Sequence, residues 1–366
     1  MIVRRIALNG WRNYAFAAAE FSPGTNVITG ENAQGKTNLL EAVYLLTGGK
    51  SFRTRFDREL IGFGCDSAEI LADVVSHERE QTVRILLRSG VRKQITVNSV
   101  KKTASELGET LNVVLFCPDD LNLIKEGAAA RRRLMDNAIS QIRPRYAEYL
   151  SQFNKFYESK TRILKDWREK PSLLDTLDEF SDGMCRTSAQ LIRYRASFAA
   201  RLADEAAPIH SEFSGADEKL GIEYSTVSAV KDPTASAKEI FYDLCDHMEA
   251  HRRAELDSGQ CLSGAHKDDL IISINGKNAR SFASQGQTRT AALSIKLAER
   301  EIYLDETGEY PILLLDDVLS ELDTKRQEFV LNRIGGGQTL ITCCEDEGIS
   351  RRTGGKVLHV GNGRIG

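Results

Sequence analysis

Gly30-Glu31-Asn32-Ala33-Gln34-Gly35-Lys36-Thr37 is a loop of the form G-x4-G-K-T, and its reading decides the fold. Before it, Thr25 to Ile28 reads as a strand. After it, Thr37 to Leu46 reads as an amphipathic helix with Leu39, Leu40, Val43 and Leu46 on one face. Strand, glycine-rich loop and helix in this order make a phosphate-binding unit. The glycines let backbone N–H groups turn inward at phosphate oxygens, and the helix N-terminus adds positive potential. Gly30, Glu31, Asn32, Ala33, Gln34, Gly35, Lys36, Thr37 and Asn38 are the candidate nucleotide-binding residues. Lys36 is expected to reach the β- and γ-phosphates and the Thr37 hydroxyl to ligate Mg²⁺, so ATP and Mg²⁺ are the expected cofactors.

Such a loop needs a second, acidic site. Ile312-Leu-Leu-Leu-Asp316-Asp317 supplies one: a short apolar run behind Pro311 reads as a buried central strand whose end delivers carboxylates. Asp316 is expected to hold Mg²⁺ through its water shell, and Asp317 to orient or deprotonate the hydrolytic water. A third element, Ser284-Gln285-Gly286-Gln287, precedes a helix and resembles the signature motif of ABC-type ATPases. Ser320-Glu-Leu-Asp323 resembles their D-loop. In that class the signature serine and helix N-terminus bind the γ-phosphate held by a partner subunit, so the resemblance implies a homodimer joined by ATP.

Outward from these motifs the chain divides by texture. Residues 1 to 8 alternate like a strand. Glu69 to Val75, Thr82 to Leu87 and Gln94 to Val97 fit an antiparallel sheet. Arg131 to Ala206 has few glycines and apolar residues at helical spacing, which predicts a helical insert. Ala237 to Leu256 reads as a helix. A hairpin is expected over Leu270 to Phe282, with strands Leu270 to Ile274 and Asn278 to Phe282 around Asn275-Gly276, a pair suited to a type I′ turn. A helix over Gly286 to Leu304, the acidic strand, a helix near Thr324 to Ile334 and a strand over Thr339 to Thr342 complete the reading.

Composition sets limits on function. The 366 residues carry 49 Lys and Arg against 52 Asp and Glu, a net charge of −3, so no global positive field exists to hold nucleic acid. The charge is nonetheless segregated: residues 131 to 170 hold 11 basic and 5 acidic side chains, +6, which leaves −9 for the remainder. A solvated helical face is the plain reading of that run, and a phosphate-binding face the alternative. No apolar run approaches the ~20 residues of a membrane span, and the charged N-terminal stretch lacks a signal-peptide core, so a cytoplasmic protein is expected. The seven scattered cysteines form no C-x-x-C pair and read as buried, reduced thiols.

Taken with further stretches, the motifs resemble the RecF family of bacterial DNA replication and repair ATPases over nearly the whole chain. The residues that carry the resemblance include Asn9-Gly-Trp-Arg-Asn-Tyr14, Lys50-Ser-Phe-Arg-Thr54, Phe116-Cys-Pro-Asp-Asp-Leu-Asn-Leu-Ile124, Arg131-Arg-Arg-Leu-Met-Asp136, Gly264-Ala-His-Lys-Asp-Asp269 and the run from Ser284 to Glu299. Glu126, Ala128, Leu134, Ala265 and Lys267 depart from the family's usual residues. The resemblance implies an α/β fold: an ABC-type P-loop ATPase head with an antiparallel β subdomain and a helical second lobe. Residues 1–130 with 305–366 would form the nucleotide-binding lobe, and 131–304 the helical lobe with the hairpin and signature. It also implies a weak DNA-stimulated ATPase that dimerises with ATP and binds double-stranded and gapped DNA. With RecO and RecR, such a protein promotes RecA loading at gaps and SOS induction.

Binding DNA of any sequence requires Lys and Arg donors to phosphate. The candidates are Lys50, Arg53, Arg55, Arg92, Lys93, Lys101, Lys102, Arg131, Arg132 and Arg133, although Arg131 to Arg133 also suit ion pairs between lobes. Two other function classes compete. A long-armed SMC-like DNA tether is disfavoured because the helical part of the 248 residues between Lys36 and Ser284 is ~75 residues, an arm of ~55 Å at most. An ABC transporter ATPase subunit is disfavoured because Thr342-Cys343-Cys344-Glu345 stands where the switch histidine is usual. His266 has no nearby His or Cys with which to share a metal, and a structural hydrogen bond or a polar role beside the nucleotide is expected of it.

Overall fold

The computed structural model describes residues 1–48, 50–346 and 348–366. They form two compact units, Met1–Asn122 with Arg289–Gly366, and Leu123–Thr288. The sequence predicts crossings at 130/131 and 304/305. The second crossing falls sixteen residues earlier, inside the helix Gln285–Thr307, because the side chains from Arg289 onward engage the first unit. Arg289 reaches the Glu321 carbonyl, and Arg300 the carbonyls of Arg333, Ile334 and Gly335.

The first unit holds two sheets around one core. The antiparallel sheet runs 14–20, 2–11, 67–76, 79–88, 91–97, 100–101. The second runs 364–365, 356–361, 25–29, 339–343, 312–316, 113–116 and is parallel except for its outer 364–365 hairpin. Strand Thr25–Thr29 is therefore central, flanked by 339–343 and 356–361. Val3, Ile6 and Leu8, Ile70 and Val74, and Leu39, Leu40 and Val43 of the helix Lys36–Leu45 close the core between the sheets. Ile312 to Leu315 are each at most 2% exposed, and burial of each contributes about 1.5–3 kcal/mol. That packing fixes the strand whose last residue is Asp316.

The second unit is mainly helical: Ala128–Ile142, Pro144–Asp166, Leu177–Ser214 and Ala237–Ala250, with a small sheet of order 277–278, 269–274, 220–225. Asn275 and Gly276 have φ of 52° and 75°, as a type I′ turn requires. The second arm of the expected hairpin is only Lys277–Asn278. Asn278 then caps the Ser281 N–H and opens a short helix, Ala279–Phe282, in place of the expected strand. The helix expected over 237–256 is broken at His251, with Arg252–Ser258 forming its own element.

Six strands escape the pattern reading, two of them the two-residue pieces Val100–Lys101 and Arg364–Ile365. Tyr14–Glu20 is rich in alanine, a helix former, yet it pairs with 2–11 and turns Ala17 and Ala19 into the core, so tertiary pairing overrides propensity. Val113–Phe116 is a short, wholly buried edge strand without alternation, while Leu220–Ser225 and Lys356–Gly361 alternate over only six residues each. The cysteine reading also needs correction. Cys185, Cys261 and Cys343 are buried, Cys117 and Cys245 are partly covered, and Cys65 and Cys344 are exposed. No described helix is long and apolar enough to cross a membrane.

Candidate nucleotide-binding site

Residues 30–37 leave the central strand and curl into the helix Lys36–Leu45. Gly30 and Gly35 take φ of 149° and 121°, and a side chain at either would collide: a Cβ on Gly30 falls 2.1 Å from the Val360 carbonyl, and one on Gly35 falls 2.8 Å from the Tyr14 hydroxyl. The turn thus depends on glycine for both conformation and space. Lys36 folds back under the loop, with Nζ 2.5 and 2.9 Å from the Gly30 and Glu31 carbonyls. Its side chain is buried, and no described carboxylate neutralises it.

The loop is braced from outside by the 9–14 segment. The Tyr14 hydroxyl donates to the Gly35 carbonyl at 2.9 Å, Asn13 Nδ2 donates to the Gln34 carbonyl at 2.8 Å, and Asn38 Nδ2 donates to Asn13 Oδ1 at 2.8 Å. Trp11 Nε1 donates to the Asn38 carbonyl at 2.8 Å. One turn into the helix, the fully buried Glu41 receives both Arg12 Nε and Nη2, at 2.8 and 2.7 Å, and the Ser51 hydroxyl. These contacts assign structural work to a stretch that the sequence reading uses only for family resemblance. The signal is the run Trp-Arg-Asn-Tyr, polar and aromatic at the end of an apolar strand.

Thr37 Oγ1 donates to Asp316 Oδ1 at 2.9 Å, and Thr342 Oγ1 donates to the same oxygen at 2.9 Å. Thr342 also accepts the Asp317 N–H at 2.8 Å, so one hydroxyl orients both aspartates. Burial raises the Asp316 pKa, while the two hydroxyls pull it back. Asp317 sits in the left-handed region, φ 53°, and the Ser320 hydroxyl donates to its carbonyl at 2.6 Å. Neither aspartate forms an ion pair among the described residues. Asp323 caps the helix Thr324–Arg333 through the Arg326 N–H at 3.0 Å and pairs with the Arg326 guanidinium. Cys344, beyond the strand Thr339–Cys343, puts Sγ 3.1 Å from Asn32 Oδ1, and its carbonyl lies 3.4 Å from the Gly30 N–H.

The site therefore pairs two opposite needs: a buried ammonium without an anion and a buried carboxylate without a cation, with Thr37 next to both. Polyphosphate and a divalent metal together answer them. Thr37 and Asp316, a hydroxyl and a carboxylate, are hard oxygen donors suited to Mg²⁺, which keeps several waters of its own.

In the second unit, Ser284 is exposed at the start of the helix Gln285–Thr307. Its hydroxyl accepts the Gln287 N–H at 3.2 Å, while its own N–H donates to Gln287 Oε1 at 2.8 Å. This is a reciprocal capping box.

A domain model described as "RecF/RecN/SMC N terminal domain" matches residues 2–354. Proteins described as "DNA replication and repair protein RecF" are 42% identical in Listeria welshimeri, over 96% of this chain and 95% of theirs, and 39% identical in Agathobacter rectalis, over 100% and 99%. The chain belongs to the RecF family. A solved relative, "the recombination mediator protein RecF-ATPrS in RecFOR pathway", superposes at a TM-score of 0.92 with 34% identity, covering 100% of this chain and 97% of that one. The ATP form of that protein gives 0.90 at 33%, covering 100% and 96%. An Smc head domain from Pyrococcus furiosus gives 0.56 at 16% identity, covering 99% and 94%, a likeness of fold alone. The family fold is the ABC-type ATPase head that the motifs implied, and family membership makes this a DNA replication and repair protein.

The family's other charged motif, 264–269, lies in the second unit and meets arginines there. Arg131 places Nε 2.7 Å and Nη2 2.9 Å from the two Asp269 oxygens, and Nη1 donates to the carbonyls of Leu123, Ile124 and Glu126. Arg132 donates to the Asp268 carbonyl at 2.7 Å. Arg131, 4% exposed, is thus engaged within the second unit. Its partners all lie in that unit, and little of it remains at the surface. His266 Nε2 lies 2.9 Å from the Cys261 carbonyl, a structural hydrogen bond and so the first of the two roles expected of it.

Of the remaining basic candidates, Lys93 pairs with Asp57, Lys102 with Glu106, and Arg53 donates to Asn38 Oδ1. Lys50, Arg55, Arg92, Lys101 and Arg133 are exposed and make no ion pair among the described residues.

Proposed function

We propose that this chain is a DNA-binding ATPase that works as an ATP-clamped homodimer on double-stranded or gapped DNA. In the family's pathway it would act with RecO and RecR to promote RecA loading and SOS induction in the cytoplasm. The observation that carries the reading is the pair of uncompensated charges, Lys36 and Asp316, held on either side of Thr37. Similarity to relatives solved as RecF-ATP and RecF-ATPrS supports the choice of nucleotide.

Backbone N–H groups of 31–37 and the Lys36 ammonium bind and orient the phosphates. Thr37 and Asp316 would hold Mg²⁺, which neutralises charge developing on the phosphate oxygens. Asp317, fixed by Thr342 and Ser320, positions the attacking water and takes its proton. The Ser284 hydroxyl, Gly286 and the helix N-terminus bind the γ-phosphate held by a second copy, and Gln287 holds Ser284 in place. ATP then joins the copies, and slow hydrolysis releases them. Lys50, Arg55, Arg92, Lys101 and Arg133 are the basic side chains free to meet DNA phosphates.

Sedimentation with and without ATP and duplex DNA tests the reading. ATP is expected to raise both the dimer fraction and DNA affinity, and Ser284→Arg to keep nucleotide binding while abolishing the dimer. An unchanged monomer with both ligands present would overturn it.

A further inference from the structure

The signature residue Gln287 is tied to a carboxylate outside every motif. Gln287 Nε2 donates to Glu218 Oε1 at 2.8 Å, while its Oε1 accepts the Ser284 N–H. With both ends of the amide occupied, its orientation is set. One Ser284 lone pair is also occupied, by the Gln287 N–H, which leaves the hydroxyl proton free to point outward.

Glu218 is itself held on three sides. It lies in the tight link between the helix Leu177–Ser214 and the strand Leu220–Ser225, where Gly215 and Ala216 take left-handed φ of 73° and 67°. Asn275 clamps both neighbours: Oδ1 accepts the Lys219 N–H at 2.8 Å, its N–H donates to the Lys219 carbonyl at 2.9 Å, and Nδ2 reaches the Asp217 carbonyl at 3.5 Å. Behind it, the fully buried His210 places Nε2 3.2 Å from the other carboxylate oxygen, Oε2.

Glu218 thus has an anchor at each of its oxygens and at both flanking peptides, and one of its partners is the half-buried motif residue Gln287. This is how a working group is held to within a fraction of an ångström by its supporting shell.

We propose that Glu218 is a positioning residue for the signature motif: it fixes the Gln287 amide, and through it the Ser284 hydroxyl, in the geometry that receives the γ-phosphate of a second copy. The inference rests on the trans-acting reading of 284–287 above. Glu218 touches no nucleotide itself; its effect passes through one hydrogen bond to Gln287.

The test is a reciprocal exchange in the full chain, read as dimer affinity by sedimentation in Mg-ATP. Gln287→Glu keeps an acceptor for the Ser284 N–H but sets a second carboxylate against Glu218. Q287E is expected to weaken the dimer about tenfold or more, the loss associated with breaking a hydrogen bond to a charged group. The double variant E218Q/Q287E restores an amide–carboxylate pair with its polarity reversed, and is expected to recover to within about threefold of the unaltered chain. E218A is expected to weaken the dimer severalfold, with ATP binding at concentrations too low for dimers as the fold control.

If the double variant dimerises no better than Q287E, Glu218 does not act through Gln287 and the inference fails, whether or not E218A folds. S284R separates the two levels. If S284R still dimerises with ATP, the trans-acting reading falls and this inference with it. If S284R is monomeric while the exchange gives no recovery, only the role of Glu218 falls.

Discussion

Two Asp-Asp pairs stand at strand ends in this molecule, one in each unit, and their surroundings differ in kind. Asp316-Asp317 closes the strand Ile312–Asp316 and meets hydroxyls: Thr37 and Thr342 donate to Asp316, Ser320 donates to Asp317, and the Asp317 N–H donates to Thr342. Asp268-Asp269 opens the strand Asp269–Ile274 and meets arginines. Arg195 Nη1 lies 2.6 Å from Asp268, Arg131 grips Asp269 with two nitrogens, and the Tyr224 and Thr226 hydroxyls donate to Asp268 at 2.5 and 2.6 Å. Arg195, 2% exposed, also bonds Asp136 and the Ala265 carbonyl, tying the helices Ala128–Ile142 and Leu177–Ser214 to the motif loop. The same dipeptide thus serves opposite ends. Hydroxyls orient a carboxylate but leave its charge for an incoming cation, whereas guanidinium groups consume the charge and leave structure. A charged motif therefore reads as chemistry only where its charge is left over.

The largest break in this comparison is expected at Asp317. Asp317→Asn should lower ATP turnover by about 10²–10⁴-fold while leaving urea unfolding within about 0.5 kcal/mol of the unaltered chain. Turnover that survives would show that Asp317 does not handle the water. The mirror variant is Arg195→Met. It strands Asp136 and Asp268 in the interior, and equilibrium unfolding should report a loss of about 3–5 kcal/mol. If instead R195M folds with unaltered stability, the second pair is not structural.

The loop before Asp268 and Asp269 offers a finer probe. His266 lies between Tyr157, with ring centroids 4.7 Å apart, and the Cys261 carbonyl; burial lowers its pKa from 6.5 to about 4. With the folded value depressed, the unfolded chain takes up a proton near pH 6.5 that the folded chain refuses until about pH 4. Stability is therefore expected to fall as pH drops through that window, by about one proton's slope, and His266→Phe should flatten the slope in unfolding curves taken across it. The smallest effect is expected from the exposed lysines and arginines. Lys50→Ala or Arg92→Ala should weaken duplex DNA binding a few-fold and reduce the log–log salt dependence by about one unit each, measured by fluorescence anisotropy. A variant that leaves the salt slope unchanged removes that residue from the DNA surface.

These contrasts also show where sequence reading stops. Gly30–Thr37, the run Ile312 to Leu315 and Ser284–Gln287 are legible because local chemistry dictates them: glycine for a strained turn, apolar residues for a buried strand, serine for a helix cap. Arg131 and Asp269 are legible as charged residues but not as partners, since 138 positions separate them and only the fold brings them together. Arg131 consequently reads as a DNA contact. Glu218 and Thr342 carry no signature of their own, because any acid or hydroxyl at those positions looks like surface until its neighbours are placed, and the 9–14 run is legible as a family stretch but not as the brace of the loop. Tyr14–Glu20 is missed for the converse reason, an alanine-rich stretch whose local preference loses to sheet pairing.

The central place of strand Thr25–Thr29 has a consequence for how the molecule is made. Both strands that flank it, 339–343 and 356–361, lie near the far end of the chain, and the Val360 carbonyl is the group that leaves Gly30 no room for a side chain. During synthesis at ~5–20 residues per second, the loop-bearing strand emerges early and then waits, unpaired on both edges, for tens of seconds. The nucleotide cradle is thus translated well before the strands that complete it. A nascent chain stalled before residue 339 would expose two bare strand edges and be unable to hold ATP, an interval in which protection by a chaperone matters more than at any later time.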